Sequence, residues 1–126
     1  MIPKISKIQF PSFNDVRGTV FPFEFEGLPF QPQRFFITQV NLPGTIRGEH
    51  GHLKCEQILF SIRGSLTIQT YTHFGLEDFT LEPNGNAIYL PAGIWASQLF
   101  ANGDEILGCL ASHPYDENDI FKTLPC

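Results

Sequence analysis

Charge is the first thing this sequence has little of. Only 17% of its 126 residues are charged, 8 Lys plus Arg against 13 Asp plus Glu, for a net charge of −5. Soluble chains usually carry about a quarter. With so few basic side chains no broad basic face can be drawn, and general nucleic-acid binding is excluded. No run approaches the roughly 18 apolar residues of a membrane-spanning helix, so no membrane partner is expected. Cysteine is confined to Cys55, Cys109 and Cys126. An odd, widely spaced set without CxxC excludes a disulfide framework and reads as a reduced, cytoplasmic chain. The Met1–Ile8 segment lacks the continuous apolar stretch of a secretory leader. A helical stripe is also missing until the tail, where Asp116–Leu124 is expected to form one short helix.

What the chain has is β composition: 13 Phe, 11 Gly, 10 Pro and 42% hydrophobic residues. This length fits one domain over residues 1–126. Strands are expected at Lys7–Phe10, Thr19–Phe25, Arg34–Asn41, Gln57–Ser61, Ser65–Tyr71, Glu77–Leu81, Asn86–Leu90, Ser97–Phe100 and Glu105–Ala111. Turn signals such as Leu42-Pro43-Gly44, Arg63-Gly64-Ser65 and Pro83-Asn84-Gly85 separate them at about 8–12 residues, the rhythm of a sandwich or barrel. Several strands, Ile58-Leu59-Phe60 among them, are apolar on both parities. Such strands have both faces covered, by the barrel interior on one side and by a second layer or a partner chain on the other.

The chemistry concentrates between Gly44 and Gly64. In a strand, residues two apart share a face, so His50 and His52 project together while Gly51 leaves room for a close approach on the other side. Paired imidazoles can hold a metal or serve as an acid/base pair near neutral pH. Arg47 and Lys54 flank them, and Arg34 and Arg17 can join if their strands are neighbours. A guanidinium fork and an ammonium both suit a diphosphate. Trp95, the one tryptophan, follows a Pro-Ala-Gly turn and can either wall in a sugar or pack in the core. His73 and His113 read as exposed loop residues, and Cys55 has no base in register to make it a nucleophile.

Gly44, five residues, His50-Gly51-His52, four residues, Gln57, six residues, Gly64 resembles the first cupin motif. Gly85, five residues, Pro91-Ala92-Gly93, two residues, Ala96 resembles the second. Cupins place metal ligands at the positions of Gln57 and Ala96, and two histidines alone do not close a zinc or iron site. No metal and no other cofactor is therefore expected. The run Arg47-Gly48-x-His50-x-His52-x-Lys54-x-x-Gln57 with Arg63-Gly64-Ser65 resembles, more closely, the WxcM-like sugar 3,4-ketoisomerase branch of the cupins. Asp15-x-Arg17-Gly18, Leu28-Pro29-Phe30…Arg34, Pro91-Ala92-Gly93-Ile94-Trp95 and Ala111-Ser112…Tyr115-Asp116-Glu117-x-Asp119 extend that resemblance along nearly the whole chain.

The resemblance implies an all-β, jelly-roll cupin barrel. It implies a cytoplasmic homodimer with exchanged N-terminal strands, Lys7–Phe10 being the candidate here. The implied activity is a metal-independent isomerase that moves the keto group between C4 and C3 of dTDP-4-oxo-6-deoxyglucose for surface-glycan sugars. His50 and His52 become the acid/base pair, with His52 favoured for the first proton abstraction. Arg47 and Lys54 hold the diphosphate, and Gln57 orients a histidine or a sugar hydroxyl. Two departures stand out: Phe35 and Phe36 occupy positions where the family commonly has tyrosines, and Ala96 one where it commonly has histidine. A non-catalytic nucleotide-sugar-binding cupin and a metal-dependent cupin enzyme remain as alternatives.

Overall fold

The computed structural model describes residues 4–124. Five strands build one antiparallel sheet: β1 (Ser6–Gln9), β4 (Arg34–Thr38), β6 (Gln57–Arg63), β9 (Asn86–Leu90) and β11 (Ile106–Ala111), in the order β1-β9-β6-β11-β4. A second sheet holds β5 (Thr45–His52), β7 (Leu66–Thr72), β8 (Gly75–Leu81), β10 (Trp95–Phe100) and β12 (Ile120–Phe121), in the order β12-β5-β10-β7-β8. A small hairpin pairs β2 (Phe13–Asp15) with β3 (Gly18–Val20). The two large sheets face each other as a jelly-roll sandwich and are not hydrogen-bonded into a closed cylinder. Among the described residues no helix is long and apolar enough to cross a membrane.

The strands that are apolar on both parities do have both faces covered. Between the sheets lie Leu59, Leu66, Ile68, Ile88, Phe100, Leu107 and Cys109. On the outer side of the first sheet, Ile58, Phe60 and Leu110 form a second cluster under Phe23, Leu28 and Phe30. The Phe23 and Phe60 ring centroids are 4.5 Å apart. Part of the second layer is thus the chain's own 21–30 segment, where the expected Thr19–Phe25 strand stops at Val20. Its alternating phenylalanines gain more by lying on the sheet than by pairing as a strand.

The expected tail helix is not formed. Asp116 caps a single 3-10 turn at Glu117–Asp119, its side chain accepting from the Asn118 N–H, and Ile120 returns to extended backbone. Ile120 and Phe121 then pair with His52 and Gly51 along the edge of β5. A β-branched and an aromatic residue beside a free strand edge favour that ladder over further helix. β1 lies on β9 of its own chain, from Ser6 against Tyr89 to Gln9 against Asn86, and the Phe10 N–H donates to the Gly85 carbonyl.

Candidate active site

The two histidines come from a strand that carries an extra residue. β5 pairs with β10 as Gly48 with Ser97 and His50 with Ala96, leaving Glu49 unmatched. Gly48 and Glu49 both take positive φ, 83° and 59°. A bulge of this kind bends the strand and re-aims the residues after it. Beyond it His50 and His52 face each other edge to face, with ring centroids 5.2 Å apart. Both line a cavity of about 620 Å³ together with Arg34, Phe36, Arg47, Gln98, Tyr115, Ile120 and Lys122, over a floor that includes Leu59 and Leu107. A pocket of that size accommodates a small organic ligand.

Gly51, between the histidines, is required by its neighbours. A Cβ there would lie 2.4 Å from the Phe121 ring and 2.6 Å from the Ile94 carbonyl oxygen. The close approach expected from the sequence is made by β12, which brings the tail against the site.

The two imidazoles are held differently. Nδ1 of His50 lies 2.9 Å from the Gly48 carbonyl oxygen. That acceptor places the proton on Nδ1 and leaves Nε2 as a lone pair. His52 is buried, with Nδ1 3.4 Å from an Asp119 carboxylate oxygen and Nε2 3.4 Å from the Gln57 amide nitrogen. Burial pushes the His52 pKa below its ordinary value, and His50 adds to this while Asp119 opposes it. Burial alone would raise Asp119. The N–H groups of Cys55 and Lys54, together with His52, more than offset that and hold its carboxyl low.

Arg34 is the half-buried cation of the cavity. Its guanidinium carbon sits 4.7 Å over the Phe36 ring and 5.7 Å from that of Tyr115. Its Nε is buried with no hydrogen-bond partner among the described residues. A buried donor left unpaired costs about 1–3 kcal/mol. Arg47 and Lys122 line the same cavity but are exposed, at its rim.

The other expected site residues lie elsewhere. Lys54 is exposed and faces a neighbouring cleft of about 350 Å³ with His113, Tyr115, Asp116 and Asp119. Arg17 is on the hairpin turn, its side chain 87% exposed and paired with Asp15 at 2.6 Å. Trp95 is buried, its Nε1–H donating to the Lys122 carbonyl, so it pins the tail instead of walling the cavity. Ala96 is packed in the core. Asp119, Tyr115 and Lys122 were not expected in the site. The acidic run Tyr115–Asp119 is what a solvated helix start looks like, and only the return of the tail to β5 reveals its carboxylate.

His52, Cys55 and Asp119 place three potential metal donors within 4.8 Å of one another. The Asp119 oxygens already accept from the Lys54 N–H at 2.8 Å and the Cys55 N–H at 3.0 Å. The cluster is satisfied by hydrogen bonds, and it points away from a metal centre.

Residues 3–124 match the family model described as FdtA: WxcM-like, C-terminal. The TDP-4-oxo-6-deoxy-alpha-D-glucose-3,4-oxoisomerase of Aneurinibacillus thermoaerophilus is 27% identical over 116 residues, covering 91% of this chain and 84% of that one. The sugar 3,4-ketoisomerase QdtA from Thermoanaerobacterium thermosaccharolyticum, solved in complex with TDP, superposes with a TM-score of 0.88. It is 25% identical, over 94% of this chain and 88% of that one. A ketoisomerase from Helicobacter canadensis gives a TM-score of 0.87 at 24% identity, over 94% and 90% of the two chains. With 122 of its residues spanned by that one family model, the chain belongs to the FdtA family, WxcM-like, C-terminal.

Proposed function

We propose that this protein is a nucleotide-sugar isomerase that moves the keto group between C4 and C3 of a TDP-4-oxo-6-deoxyhexose, without metal or redox cofactor. The observation that carries the reading is the pair His50 and His52 on one cavity wall, one with a free Nε2 and the other held by a carboxylate. The oxoisomerase name of the relative supports the same substrate class.

The reaction needs a base at C3, an acid at C4, and a way to move a proton between the two oxygens. We assign the carbon chemistry to His50. Its Nδ1–H is committed to the Gly48 carbonyl, so Nε2 takes the C3 proton and later returns one to C4. His52, backed by Asp119, accepts the O3 proton at Nε2 once the sugar hydroxyl displaces the Gln57 amide from it. It passes that proton to O4, the carboxylate stabilising the transient imidazolium. This reverses the sequence-based preference for His52 as the first base. Arg47 and Lys122 at the rim take the diphosphate, and Gln57 fixes the His52 ring until the sugar binds. Lys54 and Arg17 have no part in this single-chain cavity.

The test is the NMR spectrum of the product formed from TDP-4-oxo-6-deoxyglucose. His50→Asn and His52→Asn should each lose at least about a hundredfold in turnover while still binding TDP. An unmodified protein that leaves the oxo sugar unchanged overturns the reading. The second reading, a binding cupin without catalysis, is favoured by Phe36, which puts a hydrocarbon ring against the cavity where relatives commonly have a tyrosine hydroxyl. TDP binding without turnover would select it.

We further propose that the chain is a homodimer. Phe13, Val16 and Val20 on the hairpin and Phe35, Ile37 and Ile62 on the outer face of the first sheet are all exposed. That much apolar surface marks an interface. Sedimentation equilibrium at micromolar concentration should show a dimer, and a monomer alone would refute it.

A further inference from the structure

Arg34 begins β4, paired with Ala111 of β11, so its side chain enters the cavity from the sheet that forms the floor. Two aromatic faces hold the guanidinium in place, and no carboxylate of the described residues pairs with it. Its Nε–H is buried and, among the described residues, unpartnered. The residue is half-buried beside Leu59, Leu107 and Phe36, and its one unpaired buried donor is best satisfied by a polar group in the cavity. It lines the same cavity as His50 and His52.

We propose that Arg34 is the oxyanion donor of the isomerisation and not a diphosphate ligand. This rests on the isomerase reading above. When His50 Nε2 takes the C3 proton, the C–H electron pair becomes the C3=C4 double bond, and the carbonyl π pair moves onto O4. One negative charge appears there, at the depth of Arg34. Transfer of the O3 proton through His52 to O4 shifts the charge to O3, and return of the proton from His50 to C4 regenerates a carbonyl at C3. Arg34 donates to whichever oxygen carries the charge. Its fork of N–H groups reaches two adjacent oxygens, which a single ammonium does less well. The diphosphate, bearing charge before and after the reaction, is served by the exposed Arg47 and Lys122.

The experiment compares Arg34→Gln, Arg34→Lys and Arg47→Ala for turnover of TDP-4-oxo-6-deoxyglucose and, by calorimetry, for binding of TDP. Loss of one oxyanion donor costs about 10²–10³ in kcat. Arg34→Gln should fall by that much with its TDP affinity changed less than about threefold. Arg34→Lys should recover part of the rate. Arg47→Ala should show the opposite split, its TDP affinity falling by a larger factor than its kcat. If Arg34→Gln loses TDP affinity in step with turnover, Arg34 is a phosphate ligand and the proposal falls. If Arg34→Gln turns over normally in an active parent, it also falls, and the isomerase reading stands. A parent inactive on the oxo sugar overturns both.

Discussion

A carboxylate oxygen of Asp119 lies 3.4 Å from Nδ1 of His52, while the two oxygens of the same group accept the backbone N–H groups of Lys54 and Cys55. One tail residue therefore caps the end of β5 and sets which nitrogen of the imidazole faces the cavity. The carboxylate is fixed from behind, so it orients the ring instead of following it.

Asp119→Asn should accordingly impair catalysis more than folding. The amide still accepts one backbone N–H, but it cannot hold Nδ1–H and stabilise imidazolium as an anion does. Turnover should fall by about 10²-fold or more, with TDP affinity kept and the acid limb of the rate profile displaced. Steady-state kinetics across pH, beside calorimetric TDP binding, checks it. A variant with parental turnover removes Asp119 from the mechanism.

Stability should respond to pH through the same pair. The folded His52 titrates below its ordinary value because it is buried beside His50. Below about pH 6.5 the unfolded chain then binds the proton more readily than the native one. The His52 contribution is complete above that pH and is lost as pH falls through the folded value. Asp119 acts lower: its depressed pKa gives a contribution present above about pH 4 and lost under it. Urea unfolding at pH 7.5 and 5.5 should show the native state weakened at the lower pH, and His52→Gln should reduce that difference. An unchanged pH slope in the variant refutes the assignment.

Much of this arrangement was legible in the sequence, and the rest failed for identifiable reasons. Alternation alone put His50 and His52 on one face, and Gly51 announced a close neighbour, because a period of two holds through any strand. The bulge at Glu49 was not legible, since it depends on a register against β10 that local pattern does not encode. Lys54 was grouped with Arg47 by proximity in sequence. The chain leaves β5 at His52, however, and Lys54 turns to the other side of Tyr115. Asp119 was missed because an acidic run reads as a helix start until a sheet edge 60-odd residues earlier in the chain claims the residues that follow it.

Glu105 offers a purely structural test. Its side chain is buried, and its two oxygens accept the N–H groups of Asn102 and Gly103 at 2.8 Å each. Burial would raise its pKa, yet the backbone donors of the turn hold it low. Glu105→Ala removes the acceptors and leaves those donors beside a cavity, at a cost of about 3 kcal/mol. A lower thermal midpoint with unchanged kcat below the transition is expected. An unshifted midpoint would mean that water replaces the carboxylate.

The purified protein should carry no stoichiometric transition metal. Gln57 offers a neutral amide, Ala96 offers nothing, and the Asp119 carboxylate is already engaged by backbone donors. Elemental analysis should find far less than one equivalent of iron, zinc, manganese or nickel after mild chelation, with turnover unchanged. A retained equivalent would restore the metal-enzyme alternative.

Gly51→Ala is the sharpest test of how the tail builds the site. The added methyl would fall 2.4 Å from the Phe121 ring and 2.6 Å from the Ile94 carbonyl oxygen. The Ile94 backbone cannot yield as a flexible side chain does, so the Phe121 ring is pushed aside and the pairing of β12 with β5 loosens. Overpacking of this sort costs about 1–3 kcal/mol. The functional loss should exceed what that implies, because Ile120 and Lys122 leave the cavity wall with β12 and Asp119 is drawn away from His52. The variant should still show a cooperative unfolding transition, at a lower midpoint. Its TDP affinity and turnover should both drop by at least about tenfold, the first through Lys122 and the second through the freed imidazole. Hydrogen exchange would report the cause directly, with faster exchange at Leu53, whose N–H donates to the Asp119 carbonyl. A destabilised variant that keeps its turnover would mean that β12 supports the fold alone and leaves the chemistry to the body of the sandwich.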